Sequence, residues 1–125
     1  MDEKNENALI ECHILMAEAL DGYDDVGIVC ERMAHIREYE SILPSGMYQS
    51  IDSYVRDVIR PLVFDLDYWS FLRKDQYGAT NDDGHYIVNS ENSLEMIIFA
   101  KYHHILDLKD QLNAFMKEEF GLNVD

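Results

Sequence analysis

The stretch NSLEMIIFAKYHHILDLKDQLNAFMKEEFG, residues 92–121, decides the fold. Asn92 followed by Glu95 is typical of a capping box, and Gly121 is typical of a helix end. Between them, apolar residues recur every three or four positions, which predicts one helix with a single buried face: Leu94, Ile97, Ile98, Ile105, Leu108, Leu112, Phe115 and Met116. Such a helix of about 27 residues is about 40 Å long. We therefore expect the other helices to pack on it.

Upstream of this helix, the same three-and-four spacing predicts four shorter helices. The first runs from Asn7 to Gly22, and the second follows Asp25, which with Asp24 suits a helix N-terminus. The third begins after Pro44 and is halted or kinked by Pro61. The fourth carries an apolar face made of Leu62, Val63, Leu66, Trp69 and Leu72. The prediction is an all-α bundle of about five helices forming a single domain over residues 1–125.

Residues 75–92 interrupt this periodicity with glycine, asparagine and aspartate. Asp83-Gly84 favours the type I′ turn of a β-hairpin, and the residues from Tyr86 to Val88 have β character, but the arm before the turn is weak. The stretch is open to two interpretations, a small hairpin or an irregular loop.

The composition excludes several classes of function. The chain has 25 acidic and 10 basic residues, a formal charge of −15, yet it is 47% hydrophobic and can fill a core. Duplex nucleic acid and anionic membranes bind cationic surfaces, so we expect neither as a partner. The longest apolar runs are far shorter than a membrane span, and the first six residues lack the basic region of a signal peptide. We expect a cytoplasmic protein.

Sequence motifs for catalysis or metal binding are missing. The chain has no GxSxG, GxxxxGK[ST], GxGxxG or HExxH pattern and no CxxC pair, so we expect no enzyme activity, no metal and no cofactor. His103 and His104 beside Asp107 suggest a general base. A simpler interpretation is that both histidines occupy polar positions of the long helix that flank its buried face. Cys12 and Cys30 lie in apolar helical stripes, and we expect both thiols to be reduced and buried.

Acidic residues occur in clusters without a cation nearby in sequence. Such clusters are either ordinary solvated positions, which keep a small protein soluble, or a surface for a basic partner. Fifteen uncompensated charges repel one another and weaken the fold, which favours the second interpretation. Tyr68 lies off the apolar stripe and suits an interface, whereas Trp69 lies on the stripe and suits the core. The predicted partner-binding residues are Asp21, Asp24, Asp25, Asp65, Asp67, Tyr68, Asp82, Asp83 and Tyr86.

In size, charge and helical layout, the whole chain resembles the immunity proteins of bacterial polymorphic toxin systems, particularly those of contact-dependent growth inhibition. The resemblance implies an inhibitor that binds a cognate basic toxin domain, often a nuclease, and blocks its active site. No residue is carried over from it. A phage-type nucleic-acid mimic that inhibits a host restriction or CRISPR nuclease is the alternative. The sequence also leaves open whether the chain forms a homodimer.

Overall fold

A computed structural model describes residues 1–69 and 92–124, with the side chains of residues 92–96 excepted. The α-helices in these ranges are α1 (Glu3–Asp21), α2 (Val26–Arg37), α3 (Ser45–Tyr54), α4 (Pro61–Phe64) and α5 (Asn92–Phe120). A short 3₁₀ helix, Glu38–Ser41, follows α2, and a π-helical segment, Val55–Ile59, follows α3. No strand occurs within these ranges, and the all-α prediction is confirmed for them. Apart from Asn92, which begins α5, the stretch predicted to hold a hairpin lies outside the described residues.

The α1–α2 hairpin follows the predicted local signals. The Asp2 side chain accepts a hydrogen bond from the Lys4 amide at 3.1 Å, so α1 begins one turn earlier than expected. Gly22 ends α1, and the Asp25 side chain accepts a hydrogen bond from the Ile28 amide at 3.3 Å. The predicted cap of α2 is therefore confirmed.

Pro61 does not halt the third helix, which was one of the two outcomes predicted for it. A proline cannot donate a backbone hydrogen bond, and its ring clashes with the carbonyl four residues earlier in a regular α-helix. The π segment before it widens the helix, and the Arg60 amide donates to the Val55 carbonyl at 2.8 Å. Arg60 keeps helical backbone angles. As a result α3, the π segment and α4 form one continuous helical segment, the α3–α4 rod, and the resulting four helical segments of the described residues roughly fit the predicted count of about five helices.

The predicted fourth helix ends at Phe64, earlier than expected, and Leu72 of its predicted apolar face lies outside the described residues. Asp65 takes an extended conformation and ends the rod, so the periodic spacing no longer applies. Leu66, expected in the core, is 98% exposed. Trp69 is partly buried and packs against the core, and its indole Nε1 donates to the Leu62 carbonyl at 3.0 Å.

Helix α5 packs along α1 and ends as predicted. Leu112 and Met116 are fully buried, and Gly121 has the left-handed φ of 70° that terminates the helix. Lys109 pairs with Asp21 while Asn113 contacts His13, so the two helices run antiparallel and α1 ends level with Lys109.

The first turns of α5 therefore extend past the end of α1. Ile97 and Ile98, predicted to be buried, are exposed, whereas Ala100 and Ile105 of the same stretch are buried. The core lies between α1, α2, the α3–α4 rod and the later part of α5.

Candidate functional site

Two acidic turns lie side by side at one end of the bundle. The α1–α2 turn carries Asp21, Asp24 and Asp25, and the turn after α4 carries Asp65 and Asp67; we call these five residues the acidic face. Tyr23 of the first turn packs on Trp69 of the second, with ring centroids 5.6 Å apart. The structure thus brings together five of the predicted partner-binding residues, which are up to 46 positions apart in the chain.

One carboxylate of the acidic face has a cation, contrary to the expectation. Lys109 Nζ lies 2.9 Å from an oxygen of Asp21. The sequence could not show this pair because its members are 88 positions apart. No ion pair reaches Asp24, Asp25 or Asp65 from any residue that the structure describes. These three carboxylates give the face its negative charge.

Backbone hydrogen bonds position two of those three carboxylates. Asp25 caps α2, as described above, and Asp65 accepts a hydrogen bond from the Asp67 amide at 3.0 Å. Each bond uses one carboxylate oxygen. A carboxylate accepts several hydrogen bonds, so the remaining acceptor sites stay available to a partner. The pKa of Tyr23 is raised by burial and by the neighbouring Asp24 carboxylate.

An aromatic cluster supports the acidic face from beneath. The Tyr68 and Trp69 rings meet edge to face with centroids 5.0 Å apart. The Tyr68 hydroxyl and His104 Nε2 lie 2.7 Å apart in a hydrogen bond. Burial lowers the pKa of His104, although the nearby Asp107 opposes the shift, and burial raises the pKa of Tyr68. Tyr68, predicted as an interface residue, is partly buried and anchors its turn to α5.

Leu66 is an exposed apolar residue next to the acidic face that the sequence did not indicate as a candidate site residue. It was assigned to the core because it continued an apolar period, but it projects from the acidic turn between Asp65 and Asp67. The signal that was available is the alternation Asp-Leu-Asp, which places an apolar side chain inside a charged turn. An exposed leucine flanked in sequence by two aspartates resembles an apolar interface contact with a polar rim.

The remaining predicted residues Asp82, Asp83 and Tyr86 lie outside the described part of the chain. Of the histidines suggested as a general base, His104 is buried and bonded to Tyr68, and His103 packs between Phe99 and Tyr102. Over residues 1–69 and 97–124, no group of three His, Cys, Asp or Glu side chains is arranged to hold a metal ion. The described helices include none with the length and apolar character of a membrane span.

Comparisons with protein-family models, with curated proteins and with solved structures found no match. The chemistry of the acidic face and the geometry around it are therefore the basis for a functional assignment.

Proposed function

We propose that this chain is an inhibitory binding protein that neutralises a basic toxin domain, a nuclease, as an immunity protein. The observation that carries the proposal is the acidic face itself. Asp24, Asp25 and Asp65 lie on two adjacent turns without a described counter-ion, and Leu66, next to Asp65 in the chain, is exposed. A surface of this kind is complementary to a cationic surface that has a small apolar recess.

Two physical effects make such a surface an inhibitor. The charge of −15 attracts a basic domain over a distance of about a Debye length, roughly 8 Å at physiological salt, and raises the association rate. Leu66 and the rigid turns then supply the contacts that slow dissociation. A nuclease holds its substrate phosphates with cationic groups, so a surface that occupies those groups excludes the nucleic acid.

The charge of the face is tested by replacing carboxylates with amides. Asp24→Asn, Asp25→Asn and Asp65→Asn, combined in one variant, remove three negative charges, and an asparagine side-chain oxygen still accepts the capping and turn hydrogen bonds. The matched control removes three charges at the other end of the bundle through Glu3→Gln, Glu6→Gln and Glu118→Gln. Glu118 lies about 14 Å along α5 from Lys109.

Cells that express a toxin domain provide the assay. The candidate toxin is the C-terminal domain of a secreted protein encoded immediately upstream of this chain. We expect the wild type and the control variant to protect cells from that toxin alone, and the acidic-face variant to lose protection while folding normally by circular dichroism. Equal protection by both variants would show that the acidic face is not part of the interface with the toxin. Competition with DNA for several related nucleases would instead support the nucleic-acid mimic.

Leu66 gives a second, independent test of the same surface. Because the side chain is 98% exposed, Leu66→Ala should leave the fold unchanged. If Leu66 anchors the partner, the same substitution weakens binding by about tenfold or more, a loss of at least ~1.4 kcal/mol. Leu106→Ala on α5, also exposed, is the control and should not change binding. Unchanged affinity of Leu66→Ala would show that the anchor lies elsewhere.

A further inference from the structure

Three of the ten basic residues of this acidic chain line a single cleft. The cleft lies between α2 and the α3–α4 rod and has a volume of about 280 Å³. Arg37 enters it from α2, Arg56 from the π segment, and Arg60 from the residue before α4. This concentration of guanidinium groups is opposite in sign to the rest of the molecule, and the acidic face does not use it.

Two of these arginines have no carboxylate partner among the described residues. Arg56 is paired with Asp57, with Nε and Oδ1 3.1 Å apart. Arg37 and Arg60 form no ion pair within the described part of the chain. Asp52 also lines the cleft and offsets part of the positive charge. Arg37 and Arg60 therefore remain as donors for an anion.

The lining of the cleft combines charged and apolar side chains. The Phe64 ring lies beneath Arg60, with the guanidinium carbon 5.9 Å from the ring centroid, and this contact places a flat apolar surface beside a charged group. Other apolar residues that line the cleft include Met33, Ala34, Ile36 and Val55. A ligand that fits this lining has an apolar group joined to a compact anion, because guanidinium groups bind phosphates and carboxylates through paired N–H donors.

The net negative charge of the chain favours small anions over large polyanions as ligands of this cleft. A polyanion such as nucleic acid or an acidic protein surface would extend beyond the cleft into the field of fifteen negative charges. A small anion of one or two charges experiences the arginines at contact distance, while the distant carboxylates are screened by salt. A volume near 280 Å³ is at the lower end of the range of small-molecule sites.

We propose that the cleft between α2 and the α3–α4 rod binds a small organic anion, with Arg37 and Arg60 holding a phosphate or carboxylate and Phe64 and Met33 contacting its apolar part. Cys30 also lines this cleft and is exposed, contrary to the expectation that it is buried, whereas Cys12 is buried in the core as expected. The Cys30 thiol therefore reports on occupancy without any substitution.

The test titrates the full chain with phenyl phosphate and with 3-phenylpropionate, which separate phosphate from carboxylate recognition, and follows binding by calorimetry. Saturable binding in the roughly millimolar range or tighter is expected for at least one of them. Inorganic phosphate and the uncharged benzyl alcohol should bind much more weakly. Alkylation of Cys30 by iodoacetamide, read by intact mass, should slow in proportion to occupancy.

Arg37→Gln with Arg60→Gln should weaken binding by about tenfold or more. The matched control, Lys4→Gln with Lys117→Gln, removes the same charge outside the cleft and should bind normally. The proposal is overturned if no organic anion saturates the wild type, if both double variants bind equally, or if bound ligand leaves Cys30 fully reactive. Inorganic phosphate or a hexaglutamate peptide binding as tightly as the organic anions would also overturn it. The comparison of ligands and the Cys30 measurement use the wild-type protein and do not depend on the variants folding.

Discussion

Replacing Leu112 with alanine should destabilise the protein strongly, because this side chain is fully buried between α5 and the rest of the core. Burial of a leucine side chain contributes roughly 1.5–3 kcal/mol, and the cavity left by truncation adds to the loss. We therefore expect Leu112→Ala to lower the free energy of unfolding by about 3–4 kcal/mol. The entropy of unfolding scales with length to about 0.26 kcal/mol/K for this chain, so the melting temperature should fall by about 11–15 °C.

Leu66→Ala is the matched control for this substitution. It removes the same atoms from a side chain that is 98% exposed, so the free energy of unfolding should change by less than about 0.5 kcal/mol. Both variants are measured by chemical denaturation followed by far-ultraviolet circular dichroism. Equal destabilisation by the two substitutions, or none by Leu112→Ala, would refute the packing of α5 described above.

Three further predictions concern titration, thiol reactivity and capping. The pKa of His104 is about 6.5 in the unfolded chain, and burial lowers it in the folded protein. As the pH drops, the unfolded chain therefore takes up the proton before the folded protein does. The free energy of unfolding falls as the pH drops from about 6.5 through the pKa of the folded state. His104→Gln should lose this contribution, seen as a smaller difference in unfolding free energy between pH 7.5 and pH 5. Cys30 should react with a thiol reagent in the native protein, whereas Cys12 should react only after unfolding, because burial and the charge of Glu11 raise its pKa to about 12; rapid labelling of both thiols would contradict its placement in the core. Asp25→Ala should lower the unfolding free energy by about 1 kcal/mol and Asp25→Asn by far less, since only asparagine restores the cap of α2; equal losses would show that the cap has no role.

Helix ends were predictable from the sequence where the signal is local. Asp25 and Gly121 act within one helical turn of their own position, and both end or begin a helix as predicted. The continuation of the helix through Pro61 was not predictable, because the clash of its ring is relieved by the π segment before it, which no residue propensity indicates. Leu66 was misjudged because an apolar period was extended past the residue where the chain leaves the helix.

The candidate site was only partly predictable for a different reason. The acidic residues were identified individually, but their convergence depends on the contact between Tyr23 and Trp69, which joins two turns far apart in the chain. The pairing of Asp21 with Lys109 and the bond from Tyr68 to His104 likewise join distant positions. The arginine cleft has no sequence signature, since Arg37, Arg56 and Arg60 meet only when α2 packs on the α3–α4 rod.

The dependence of the association rate on salt tests the central claim most directly. The rate constants for binding to the basic toxin domain are measured by stopped-flow fluorescence between about 25 and 500 mM salt. If the acidic face steers the partner, the association rate constant falls by about tenfold or more over this range, while the dissociation rate constant changes much less. In the double variant Asp24→Asn with Asp65→Asn, the association rate constant should depend less steeply on salt. An association rate that is the same at both ends of the range would contradict the claim.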